Sequence, residues 1–356
     1  MKHFKRQEQE DREVFLKQQG WVSPEFTLSC ESKGRKNPDD EDPDEEDWRT
    51  AFQRDYDRIA WCDARTRLKD KTQVALLPRD PHLTTRLIHA GEVTRLTIGL
   101  CRYVGYNPDL GGAQAEGHDL GHTPFGHAGE KTLTKIMREI LGDDKYIFHH
   151  AAYGLEIVDR IEKKNLTDEV RDGIRWHSRG SESVGGKRRE PYTPEGKCMM
   201  WADKFAYTAS DIEDALRVGM IQESDLYKDK KVRSALRILG CSDSYDKSDL
   251  LDALIPGFVY STLEHQQVCF VGEKSEAFEV LKKWMYDNVY GSSKMEAEFK
   301  KAKDMMQIVF SRIMKHEFSH LEDKEAAYAT LDRVACMTDR SIVLYFEDSY
   351  IPKGVY

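Results

Sequence analysis

The chain has 356 residues, 39% of them hydrophobic and 33% charged, with a formal net charge of −9. That balance excludes general binding of nucleic acid or anionic membrane through the whole surface, so a polyanionic ligand needs positive charge concentrated locally. Seven scattered cysteines without a C-x-x-C pair, no secretory signal, and no apolar run approaching ~18 residues predict free thiols in a soluble cytoplasmic protein.

Residues 1–47 are strongly charged and lack apolar periodicity, and 39–46 (D-D-E-D-P-D-E-E) is a like-charge run. They predict a loosely held N-terminal arm, with Trp21, Val22 and Phe26 as its anchors. From Trp48 the pattern turns helical. Residues 57–74 carry five cationic side chains, Arg58, Arg65, Arg67, Lys69 and Lys71, a face that by itself reads as solvated. A connection through Pro78 and Pro81 leads to a predicted helix over 83–104. Its Leu87, Ile88, Val93, Leu96, Ile98, Leu100 and Val104 suit burial, and Arg86 and His89, three apart, share a face.

Asn107 and Pro108 read as the cap and first turn of the next helix, with Gly121 as its stop. Residues 116–130, E-G-H-D-L-G-H-T-P-F-G-H-A-G-E, then pack three histidines, one aspartate and two glutamates among four glycines and one proline. Gly121, Pro124 and Gly126 force an irregular backbone that can turn His122 and His127 toward one point. Short helices are predicted over 130–141, from Phe148 to about 164, and from Thr167 to about His177. Residues 178–197 form a long loop with a basic cluster, Lys187-Arg188-Arg189. The helix over 197–219 puts Asp203, Tyr207 and Asp211 four apart in a line on one face, with Lys204 beside them and Met200, Phe205, Ile212 and Leu216 on the other side. Four more helices are predicted over 248–265, 275–290, 293–318 and 323–344. Strand signals are nearly absent, so the class is all-α, with a core over 48–220 and further helices over 221–356 packed on it.

Were His89, His118, Asp119 and Asp203 to converge, two imidazoles and two carboxylates would make a mixed N/O site for Mn²⁺, Mg²⁺, Fe²⁺, Co²⁺ or Zn²⁺. The absence of thiolates excludes a closed structural zinc site. Open positions on such an ion suit water and a phosphate oxygen, with Arg86 and Lys204 neutralising further phosphate charge. His127 and Glu130, three apart, read as an imidazole oriented by a carboxylate, a proton donor or a water-activating base. Metal-assisted phosphoester hydrolysis is the reaction class this composition predicts.

The ordered set H…H-D…D, with L-G-H-T-P-F-G-H after the pair, resembles the HD phosphohydrolase superfamily. Within it, the chain is most similar to the deoxyguanosine triphosphate triphosphohydrolase (dNTPase) family. The similarity runs through R-L-x-x-K-T-Q-V (67–74), T-R-L-I-H-A-G-E-V around His89, F-H-H at 148–150, A-D-K-F-A-Y-T-A-S-D-I-E-D-A-L on the 197–219 helix, and the tail D-R-V-A-C-M-T-D-R (332–340). It differs from the usual family pattern at Arg65, where an aromatic is common, at Ala151 after His150, and at Lys204. The resemblance implies an HD-domain helical bundle with additional C-terminal helices. His89, His118, Asp119 and Asp203 would be metal ligands, for Mn²⁺ or Mg²⁺ foremost. His122, His127, Glu130 and His150 would be catalytic or phosphate-contacting groups. Arg86 and Lys204 would touch the triphosphate, Tyr207 and Asp211 would sense the sugar, and Gln73 would approach base or sugar. It further implies a dNTP substrate split into deoxynucleoside and tripolyphosphate, a homo-oligomer (hexamer or tetramer), an allosteric nucleotide and single-stranded DNA as partners. The alternatives are an HD phosphohydrolase of nucleoside monophosphates or cyclic nucleotides, and a non-catalytic nucleotide or single-stranded-DNA binding module.

Overall fold

Helix starts follow the capping chemistry written in the chain. In the computed structural model, which describes residues 6–37, 48–74, 76, 80–178, 189–291 and 293–352, Thr85 accepts a hydrogen bond from Ile88 N and opens α4 (Arg86–Val104). Asn107 accepts from Asp109 N and Leu110 N ahead of α5 (Pro108–Gly117), with Pro108 in the first turn. Thr193 accepts from Gly196 N ahead of α9 (Pro194–Arg217). Each such cap stabilises its helix by about 1 kcal/mol. The other helices are α1 (Arg6–Gln18), α2 (Ala51–Ala60), α3 (Asp63–Arg67), α6 (Gly126–Leu141), α7 (His150–Glu156), α8 (Asp168–Trp176), α10 (Glu223–Lys228), α11 (Lys230–Ile238), α12 (Lys247–His265), α13 (Glu273–Met285), α14 (Ser293–Glu317), α15 (Asp323–Ala335) and α16 (Asp339–Tyr350). Among the described residues there is no strand, so the chain is all-α, as its sequence predicts. No helix among them is long and apolar enough to cross a membrane. The acidic run 39–46, Pro78 and the Lys187-Arg188 pair lie outside the described residues.

Two hydrophobic clusters share the helices. One joins Val93, Leu96 and Leu100 of α4 and Phe205, Ala209 and Ile212 of α9 to α10–α13. The other joins Phe52 and Ile59 of α2, Leu133 of α6, Tyr153 of α7 and Ile174 of α8 to Phe310 and Ile313 of α14 and Val334 of α15. The residues after 221 therefore enter both clusters. The helices α4 and α5 run between the clusters and contribute to each.

Four local expectations are corrected. The helix α5 stops at Gly117, so the His118-Asp119 pair stands in the following turn rather than in a helix that ends at Gly121. Gly121 instead permits close approach, because a Cβ there would overlap His150 O and Gly154 N of α7. The helix α6 begins at Gly126, earlier than predicted, after Phe125 takes a left-handed φ of 60°, so His127 and Glu130 sit inside its first turns. The predicted helix 323–344 is broken, because Thr338 turns out to accept from Ser341 N and starts α16 afresh.

The fourth correction concerns the arm. Residues 6–37 are fastened by buried carboxylates rather than loosely held. Glu195 accepts from Thr27 N (3.2 Å), Thr27 Oγ1 (2.8 Å) and Asn107 N (3.0 Å). Glu169 accepts from Ser32 Oγ (2.8 Å) and Lys33 N (2.8 Å). Arg35 pairs with fully buried Asp55, which also accepts from Thr167 N and Oγ1, each at 2.7 Å. Polar anchors of this kind leave no apolar periodicity to read.

Gly121→Ala should lower stability by about 3 kcal/mol, since two backbone groups of α7 must move to admit one methyl. Gly99→Ala, inside α4 with its nearest neighbour 3.9 Å away, should be neutral or stabilising by up to about 1 kcal/mol. Urea denaturation of the two variants checks this, and equal midpoints would refute the close approach.

Candidate metal centre

Three elements deliver the ligand atoms. Arg86 and His89 stand at the start of α4, His118 and Asp119 in the turn after α5, and Asp203 within α9, which packs along α4. His89 Nε2 lies 3.0 Å from Asp203 Oδ1, and His118 Nε2 lies 3.9 Å from the same oxygen. Asp119 Oδ1 is 3.5 Å from His118 Nε2. His89, His118 and Asp203 form one group whose ligand atoms all lie within 4.8 Å of each other, and Asp119 forms a second with His122 and His150. The four predicted metal ligands are thus brought together, with Asp119 between the two groups.

A cation fits this donor set on two counts. The Ala115 carbonyl, 2.6 Å from His118 Nδ1, accepts only from N–H, so it fixes the proton there and leaves the Nε2 lone pair facing the carboxylates. That Nε2 is buried and has no hydrogen-bond partner. Burial opposes ionisation of Asp119, but the charges of His118, His122 and Arg86 overcome it and hold its pKa well below the carboxylate range. Burial likewise opposes ionisation of Asp203, while the hydrogen bond and charge of His89 bring its pKa to about 2. Carboxylates already ionised are the form in which these groups bind a divalent metal, and a bound cation would take the place of the imidazole protons that face them.

Arg86 Nη1 donates to Asp119 Oδ2 at 2.7 Å, so this guanidinium, expected on a triphosphate, also braces a ligand. Glu130 does not orient His127. Its Oε1 lies 2.9 Å from His150 Nδ1 and 3.3 Å from His122 Nδ1. The rings of His122 and His150 stack at 3.8 Å, and His122 Nε2 reaches Asp119 Oδ1 at 3.1 Å. His127 stands exposed beside them, its ring 5.7 Å from that of His122. The crowding of its nitrogens by protein pushes its pKa down to about 4.

Sequence reasoning missed His177. It donates from Nδ1 to Ile174 O (2.8 Å), lies 3.1 Å from His150 Nε2 and 4.0 Å from Asp119 Oδ1, and burial lowers its pKa to about 4. Its only sequence signal is a histidine at a helix end just before a glycine-containing loop.

Along α9 the second line of residues is ordered as predicted. Tyr207 and Asp211 follow Asp203 at successive turns, and Lys204 is buried beside it. Tyr290, also missed, donates to Asp211 Oδ2, while Asp211 Oδ1 is buried without a partner. Burial lifts the Asp211 pKa to about 7. The carbonyl oxygen of Gln73 is likewise buried and unpartnered. These orphaned acceptors suit a ligand that carries hydroxyl or amine donors.

Residues 86–208 match the HD domain family and residues 268–348 the phosphohydrolase-associated domain. Several proteins named deoxyguanosinetriphosphate triphosphohydrolase-like protein are similar over nearly the whole length. That of Caldanaerobacter subterraneus subsp. tengcongensis is 36% identical over 344 residues, 93% of each chain. That of Desulfatibacillum aliphaticivorans is 34% identical over 354 residues, 93% of this chain and 95% of the other. That of Clostridium tetani is 34% identical over 350 residues, 94% of each.

Asp211 yields a pH-dependent prediction. Its folded pKa of about 7 lies above the unfolded value, so the folded state binds the extra proton and its stability falls as pH rises through that window. Asp211→Asn should therefore raise the melting temperature of the metal-free protein more at pH 8 than at pH 5. Thermal unfolding at the two pH values checks it, and an equal shift at both would refute a costly buried carboxylate.

Proposed function

The chain belongs to the family of HD-domain phosphohydrolases that includes the deoxyguanosinetriphosphate triphosphohydrolase-like proteins, and on that premise we propose that it hydrolyses deoxynucleoside triphosphates to deoxynucleoside and tripolyphosphate. The observation that carries this reading is the alignment on α9. Asp203, in the ligand group, is followed one turn later by Tyr207 and two turns later by Asp211, whose Oδ1 lacks a donor. Those turns rise ~5.4 and ~11 Å. A sugar lying along Tyr207, with its 3′-hydroxyl donating to Asp211, sets the nearest phosphate, the α position, beside Asp203. The Tyr207 ring under C2′ leaves no space for a ribose hydroxyl.

His89, His118, Asp119 and Asp203 would hold the metal, Mn²⁺ or Mg²⁺. A divalent cation there withdraws electron density from a phosphoryl oxygen and lowers the pKa of water. The protein's own groups supply the rest. Arg86 and Lys204 offset phosphate charge, Glu130 fixes the rings of His122 and His150 against the reacting group, and His127, standing exposed beside them, gives a proton to the departing 5′-oxygen. The negative charge of a triphosphate raises the low pKa of His127 and loads it with that proton.

Purified protein incubated with each dNTP and Mn²⁺ or Mg²⁺ should release deoxynucleoside and tripolyphosphate, and ¹⁸O from water should appear in the tripolyphosphate. Release of dNMP and pyrophosphate, or label in the nucleoside, would overturn the bond assignment. Tyr207→Ala should narrow the preference for dNTP over NTP by at least tenfold, on the order of 1.4 kcal/mol; an unchanged ratio of kcat/KM values removes Tyr207 from the sugar's side.

A further inference from the structure

The tail 332–340, D-R-V-A-C-M-T-D-R, takes no part in the ligand set, yet the turn between α15 and α16 meets it from behind. Asp339 is 2% exposed. Its Oδ2 accepts from Thr72 N at 3.0 Å and from Thr72 Oγ1, and its Oδ1 accepts from Phe125 N at 2.9 Å. Lys71 Nζ, also buried, donates to Ala335 O at 3.0 Å and to His122 O. Lys71 O in turn accepts from Arg86 N at 3.2 Å, at the first residue of α4. The C-terminal elbow thereby holds Lys71, Thr72 and the Phe125 end of the loop 122–125, and Lys71 carries that hold to the His122 end and to the start of α4.

The carboxylate of an acid at the start of a helix ordinarily serves that helix or faces water. Here Thr338 already caps α16, and the Asp339 carboxylate is given to two segments more than two hundred residues away in sequence. Those segments need outside support. The loop after Gly117 has turn bonds and two bonds from Thr123 Oγ1 as its own support, and Phe125, a non-glycine residue, has a positive φ of 60°, a conformation that persists only where surroundings impose it.

We propose that Asp339 and Lys71 are positioning residues, through which the C-terminal region holds the backbone of the His118–His122 loop and the start of α4 in the arrangement that binds the metal. This rests on the reading of His89, His118, Asp119 and Asp203 as metal ligands but not on the identity of the substrate. The role differs from simple docking of α15 and α16. That docking is also served by Asp332, which holds Arg160 (2.8 and 2.9 Å) and Tyr153 (2.9 Å) away from the metal centre.

The test is Mn²⁺ affinity of the full-length, metal-stripped protein by titration calorimetry, beside its melting temperature. Asp339→Asn sets an amide donor against a backbone N–H, and it should weaken Mn²⁺ binding about tenfold or more. Asp332→Asn should lower the melting temperature and leave Mn²⁺ affinity within about twofold. If Asp339→Asn fails to fold, Thr72→Val decides, because it deletes only the hydroxyl bond to Asp339; it should weaken Mn²⁺ about threefold. Folded Asp339→Asn, or Thr72→Val in its place, with wild-type Mn²⁺ affinity would overturn the proposal, as would Asp332→Asn weakening Mn²⁺ as much as Asp339→Asn. Failure of dNTP turnover in wild-type protein that binds Mn²⁺ normally would count against the substrate reading and leave this one standing.

Discussion

Asp119 is the constraint on which the centre depends. Its carboxylate is buried, and its two oxygens face opposite ways, one to Arg86 at 2.7 Å, the other to His122 at 3.1 Å and His118 at 3.5 Å. A buried carboxylate without such partners would cost several kcal/mol, and removing one partner would expose most of that cost. The groups that compensate it come from α4 and from the turn after α5, and through His122 from Glu130 of α6. Satisfying one charge therefore dictates where these elements meet.

The same logic runs outward. Glu130 is held ionised by His150 and His122 against the effect of its own burial, and His150 leans on His177, whose proton is fixed by a carbonyl of α8. The carbonyl acceptors at Nδ1 of His118 and His177 hold the proton there and turn the Nε2 lone pairs of these two rings inward. Backbone geometry at helix ends thus becomes ligand chemistry. Both carbonyls, Ala115 O and Ile174 O, lie in the last turn of a helix, where C=O groups lack intrahelical donors.

Much of this was legible in the chain because it is written locally. Thr85, Asn107-Pro108 and Thr193-Pro194 announce helix starts, the His118-Asp119 pair marks the centre, and spacing by four aligns Asp203, Tyr207 and Asp211. The rest depends on partners distant in sequence. His177 and Tyr290 matter only because α8 and the turn after α13 fold back onto residues 27 and 79 positions away. The arm is held by Glu169, Glu195 and Asp55, whose role is invisible until their hydrogen-bond donors are known. Gly121 looks like a helix stop in one dimension; in three it is the gap through which α7 approaches.

Exposure of the ligands gives the centre a direction. The side chains of His118, His89 and Asp119 are 1%, 2% and 5% exposed, whereas that of Asp203 is 22% exposed. Among these four side chains Asp203, on α9, is thus the one most open to solvent. The residues next along α9 are Tyr207 and Asp211, with Tyr286 and Tyr290 of the π-helical turn after α13 beside them. Of these, Tyr290 packs against the hydrophobic cluster of α9–α13, while Glu130 and His150 stand on helices of the other cluster and His177 follows one. The centre thus lies where helices of the two clusters meet. One cluster carries Asp203 and the line along α9, the other carries Glu130 and His150, and α4, which brings His89, is common to both.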